Sequence, residues 1–201
     1  MDGAFWKALA FGAILAGSIG PIALLIIETA TRRGVAAGCF AGLGAALADL
    51  AYALLAFTMG ALLLPLLDAH VTAIRVACAA LLIGLGLAML LRRAGPAAAA
   101  SAPRPAARAL LPTFLLTLVN PMTLVVFAGF VPQLPVAGSL QTAAWLAGAL
   151  FVGSLLVQLA FAMAGALLGA VLPGARWQRL IGRASALGVL AFGLSGLYTA
   201  A

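Results

Sequence analysis

Between Val35 and Leu64 the chain runs through thirty residues whose single charge is Asp49. A bilayer-crossing α-helix needs about 20 mostly apolar residues, so this stretch is longer than one span. Five further stretches reach span length: Trp6 to Ile27, Val71 to Leu91, Leu110 to Val131, Gln141 to Leu172 and Trp177 to Thr199. Of the 201 residues, 66% are hydrophobic and 7% charged, with mean hydropathy +1.23. Soluble domains are about a quarter charged, so too little polar surface is left here for a water-soluble fold. The expected fold class is all-α: a polytopic membrane protein with six transmembrane helices in a single domain, residues 1–201. The Val35 and Gln141 stretches exceed one span, so they tilt or project beyond the lipid. The first stretch follows no basic run and is too long for a signal-peptide core, so it is expected to stay as a span.

The stretch RRAGPAAAASAPRPAAR, Arg92 to Arg108, interrupts this pattern with alanine, proline and arginine that cannot bury a core. It is expected to be an extended tether, residues 92–109, between a first half (1–91) and a second (110–201). Arginine also reveals sidedness. Arg32 and Arg33 lie in the first loop, Arg92, Arg93, Arg104 and Arg108 in the third, and Arg176, Arg179 and Arg183 in the fifth. Only Lys7 and Arg75 fall on the other side. The excess of positive charge on cytoplasmic loops places the odd-numbered loops inside and both termini outside. No basic run is dense enough for nucleic acid. Trp6, Trp177 and Tyr198 fall near helix ends, where interfacial aromatics belong. Cys39 and Cys78 lie in apolar runs without paired spacing, and His70 is the sole histidine, so neither a disulfide nor a metal site is expected.

Three helices on each side of the tether make the second half an inverted copy of the first. Gly20-Pro21 interrupts the first stretch and Asn120-Pro121 the fourth; Pro65 precedes Arg75 by ten residues, and Pro173 precedes Arg183 by ten. Inverted repeats with broken helices are a transporter signature. Proline lacks an N–H and clashes with the carbonyl four residues back. In lipid, the carbonyl it frees is tolerated only where protein or a wet cavity satisfies it. Gly20, Pro21, Asn120 and Pro121 are therefore expected to line a shared mid-membrane cavity.

Asp49, fifteenth from Val35, falls near the midplane at about 1.5 Å per residue. A charge there costs at least about 2.5–3.5 kcal/mol, so it must face the interior with a partner, a proton or water. Three readings stay open: it binds a substrate ammonium, it carries a proton, or it caps broken backbone. Asn120 and Gln158 are buried amide candidates for the same site, while Thr117 and Thr123 can bond to their own helix. Glu28 precedes Arg32 by four residues, the favourable order for an ion pair; a gate or substrate contact is the alternative. Gly34, Gly38 and Gly42 repeat every four residues, as do Gly165 and Gly169, and with Gly44 they offer faces for close helix packing, within the chain or across a homodimer.

Gly20-Pro21, then Gly34-xxx-Gly38, Gly44 and Asp49, then NPMTLVVFAGFVPQL from Asn120 to Leu134, resemble the LysE-type translocator family over nearly the whole chain. That family includes lysine exporters and homoserine/threonine resistance exporters. The resemblance implies a secondary transporter that exports amino acids or related small metabolites across the bacterial cytoplasmic membrane, using the proton gradient. It carries over Pro21, Asp49, Asn120 and Pro121 as motif positions. No cofactor is expected. The chain departs from the family in having Ile22 and Ala23 after Gly-Pro, Met122 after Asn-Pro, and Glu28 where many members are uncharged. A basic amino-acid cargo therefore does not follow.

Two other classes compete. An inorganic-cation carrier would need several acidic or soft ligands converging, and Asp49 is the one clearly buried acid. A non-transporting scaffold would have little reason to keep a midplane aspartate and two proline breaks. An enzyme is not expected: Ser18 and Ser154 are the candidate nucleophiles, and neither has an evident base.

Overall fold

In the computed structural model the described residues are 2–18, 20–91, 105–120, 123, 127, 139–172 and 174–198. Pro121, Met122, Pro173 and linker residues 92–104 lie outside them, as do the side chains of Pro65, Arg75 and Cys78. The described residues form seven α-helices: α1 (Asp2–Gly17), α2 (Pro21–Arg33), α3 (Val35–Ala69), α4 (Val71–Leu91), α5 (Leu110–Leu118), α6 (Leu140–Val171) and α7 (Ala175–Tyr198). A 3₁₀ turn, Ala106–Ala109, leads into α5.

The first apolar stretch is broken where Gly20-Pro21 predicts. Gly20 is extended (φ −115°, ψ −173°) and Pro21 opens α2, a position whose N–H has no helical partner in any case. α1 and α2 meet at 71°. α2 stops at Gly34, whose φ of +87° turns the chain straight into α3. α3 has 35 residues and α6 has 32, about 52 and 48 Å at 1.5 Å per residue, which is longer than the roughly 30 Å hydrocarbon core. By length and composition, α3 (Val35–Met59) and α6 are each able to cross a membrane, and α1 with α2 makes a third span if the bent pair is counted as one.

α6 packs along α1, α2 and α3; α5 lies on α3; α4 pairs with α7, which also touches α2. The closest crossing is reciprocal. A Cβ on Gly12 would stand 2.8 Å from the Leu150 carbonyl carbon, and one on Gly153 would stand 2.9 Å from that of Leu9. Without hydrophobic driving force between helices in lipid, such close backbone approach is what association relies on. Gly165 and Gly169 seat α6 on Ile27 and Thr31 of α2, and the Thr31 hydroxyl donates to the Gly165 carbonyl at 2.8 Å. Ala41, Ala45, Ala46, Ala48 and Ala53 of α3 are fully buried. The polarity of α6 is that of a helix in lipid: Ser154 and Gln158 face inward, while Leu156, Met163 and Leu167 are exposed.

A small-residue face on α3 sets Gly38 against Ala30 and Ala162, Gly42 against Gln158, and Gly44 against Leu110 and Phe114. Gly34 departs from it. A Cβ there would meet nothing within 4 Å, and the positive φ shows a turn residue ending α2.

Candidate functional site

Both breaks open onto one cavity of about 130 Å³. Ser18 and Gly20 come from the α1–α2 bend, Thr117 and Asn120 from the end of α5 with Thr123 just beyond, Asp49 from α3, and Gln158 from α6. Leu15, Ile22 and Phe192 supply much of the apolar wall, and among the described residues none that lines it is cationic.

Asp49 is 3% exposed. The Ser154 hydroxyl donates to Asp49 Oδ2 at 2.6 Å. A charged acceptor shortens and strengthens such a bond, so this contact fixes the carboxylate against α6 while the cavity bounds its other side. Gln158 stands one turn beyond Ser154 on α6 and is 4% exposed; its Oε1 is buried with no hydrogen-bond partner among the described residues.

The two breaks are supported differently. α5 ends because Asn120 precedes a proline. The Asn120 N–H tightens onto the Thr117 carbonyl at 3.2 Å, and the Tyr52 hydroxyl donates to the Leu118 carbonyl. Tyr52, three residues after Asp49 on α3, thus bonds the last residue of α5. At the other break the Ser18 hydroxyl donates to the Leu15 carbonyl at 2.7 Å. The hydroxyls of Thr113 and Thr117 turn back onto Ala109 and Thr113, as expected of threonines inside a helix.

Glu28 is not part of this cavity. It bonds Arg32 at 2.9 Å, the i, i+4 pair its spacing predicts. Both line a second, larger cavity of about 700 Å³ with Arg33 and Arg108. This arginine-lined vestibule lies within one turn of the Asp49 cavity: Thr113 and Thr117 are successive turns of α5, and Leu25 and Ile22 successive turns of α2. One turn before Leu15 on α1 and one turn after Asp49 on α3, Phe11 and Tyr52 pack on Phe127 (centroids 5.7 and 5.3 Å apart). The Asp49 cavity thus sits between a charged opening and an aromatic cluster.

Of the residues singled out in the sequence, Asp49, Asn120, Gln158 and Gly20 line one cavity. Pro21 is fully buried at the start of α2 beside it, and Pro121 lies outside the described residues. Tyr52 was not legible as a site residue, and Ser154 was weighed only as a nucleophile without a base, not as the partner of Asp49. The signal for Ser154 was its place four residues before Gln158, on the same helical face; for Tyr52 it was the i+3 spacing from Asp49.

No curated protein and no solved structure matches this chain. The model of one family, the LysE type translocator, matches residues 13–199. With that match over nearly its whole length, the chain belongs to the LysE type translocator family.

Proposed function

We propose that this protein is a secondary active exporter of amino acids or related small metabolites in the bacterial cytoplasmic membrane, working by proton-coupled alternating access. Its family is one of translocators, and the cargo, the coupling and the residue roles are our reading. The observation that carries it is the single cavity that joins Asp49, Asn120 and Gln158 to both helix breaks. An ionisable residue buried at this depth in a membrane helix is by default functional. In the proposed cycle Asp49 exchanges a proton for the cargo ammonium. Cargo enters from the arginine-lined vestibule and leaves past the Phe11, Tyr52 and Phe127 cluster.

Helix pairing supports six spans arranged as two inverted halves. α3 of the first half lies on α5, the broken helix of the second, as α6 lies on the broken α1. α3 also meets α6, and α4 meets α7. Rocking one half against the other about the cavity would expose it to each side in turn.

Proton-driven efflux of an amino-acid panel from proteoliposomes tests this reading. Asp49→Asn is expected to insert and fold and to abolish flux. Undiminished efflux by that variant removes Asp49 from the mechanism, and no efflux of any member by the wild type removes the amino-acid cargo.

A further inference from the structure

Asp49 and Gln158 hold the same place in the two halves. A missing Cβ at Gly44 lets α3 rest on the Leu110 carbonyl of α5; a missing Cβ at Gly153 lets α6 rest on the Leu9 carbonyl of α1. Asp49 follows Gly44 by five residues, and Gln158 follows Gly153 by five. The residue directly after each glycine is Ala45 in α3 and Ser154 in α6. Ser154 reaches across and donates to Asp49. Its counterpart, Ala45, has no hydroxyl with which to do the same for Gln158, whose Oε1 is left buried without a partner among the described residues.

A buried acceptor with no donor costs free energy that an apolar residue of similar size would spare. Gln158 lines the cavity beside Asp49, and a solute seated there would supply the donor that the protein withholds. We propose that Gln158 is a specificity-determining residue: its amide oxygen and the Asp49 carboxylate together receive the N–H donors of a primary ammonium head group. Asp49 supplies the charge, and Gln158 counts N–H groups. A quaternary ammonium offers Asp49 the same charge and offers Gln158 nothing, so the pair separates the two where a lone carboxylate would not. A lining without a cationic residue among the described residues fits a site that takes the ammonium end of its ligand. This inference rests on the exporter reading only in taking the cavity as the cargo site.

The test is equilibrium binding of methylammonium and tetramethylammonium chloride to the purified full chain in lipid nanodiscs, with thermal unfolding of each variant alongside. Wild type is expected to prefer methylammonium by at least about tenfold, the worth of one charge-assisted hydrogen bond. Gln158→Met is expected to weaken methylammonium by about tenfold on the same ground, to leave tetramethylammonium unchanged, and to melt at or above wild type. Ala45→Ser, which restores the absent hydroxyl, is expected to raise the melting temperature and to weaken methylammonium. The proposal is overturned if neither cation binds wild type, if Gln158→Met keeps the preference, or if that variant melts below wild type or is not recovered folded, since its oxygen would then have a structural partner. Binding preference retained in a protein that shows no efflux of amino acids would instead defeat the exporter reading alone.

Discussion

Ser154 donates a 2.6 Å hydrogen bond to Asp49 from 105 residues further along the chain, tying the second half of the protein to the one acid at the centre of the first. Ser154→Ala leaves that carboxylate buried with one partner fewer. The expected loss is about 1–3 kcal/mol of stability, the cost of stranding a buried polar group. Thermal unfolding of the two single variants, Ser154→Ala and Asp49→Asn, and of the double variant gives the coupling between the sites. Strictly additive losses would mean that the bond contributes nothing.

Tyr52 is predicted to secure the end of α5. Its hydroxyl serves the carbonyl of Leu118, the last residue of α5. Tyr52→Phe keeps the ring packing on Phe127 and deletes the donor. In a membrane interior the exposed carbonyl is expected to cost about 1–3 kcal/mol, together with slower transport as the break loses its support. Unchanged unfolding would show that water replaces the hydroxyl at no cost.

Glu28 and Arg32 are expected to matter little to stability. The arginine is 40% exposed and the glutamate 12%, and pairs of this kind are worth about 0–1 kcal/mol after solvent screening. Glu28→Gln should leave the melting temperature almost unchanged and leave ammonium binding at the Asp49 cavity at its wild-type value, because Glu28 lines the vestibule instead. A large fall in that affinity would place Glu28 in the cargo site after all.

What the sequence reveals here follows from forces that act along the chain. Apolar length marks the helices: the segment expected from Val71 to Leu91 is α4 residue for residue. Missing N–H groups mark the breaks, so Gly20-Pro21 and Asn120 interrupt helices where expected. The i, i+4 spacing of Glu28 and Arg32 specifies their pair because both belong to one helix. The partner of Asp49 was not legible in this way. Whether Ser154 meets Asp49 depends on how α3 and α6 are rotated about their axes, and that rotation is set by Gly42 seating on the Gln158 backbone, a tertiary contact without a local signature. The same reasoning explains Gly34. Its four-residue spacing to Gly38 looks like a packing face, yet α2 ends there, so the periodicity runs across a turn rather than along one helix.

The glycines of the α1–α6 crossing give the sharpest contrast with that turn. Gly153→Ala would place a methyl group 2.9 Å from the Leu9 carbonyl carbon and 3.0 Å from the Ala13 nitrogen, and backbone cannot swing aside as a side chain can. The helices must separate, at about 1–3 kcal/mol as in other overpacked interiors, and α6 would move away from α1 just where it presents Ser154 and Gln158 to the cavity. Gly34→Ala meets no atom within 4 Å and is strained only by its backbone, φ +87° and ψ 169°, a conformation essentially confined to glycine that costs other residues about 1–3 kcal/mol. Both variants are therefore expected to melt below wild type, but only Gly153→Ala should also weaken ammonium binding. Equal effects of the two on binding would show that the α1–α6 crossing does not position the cavity.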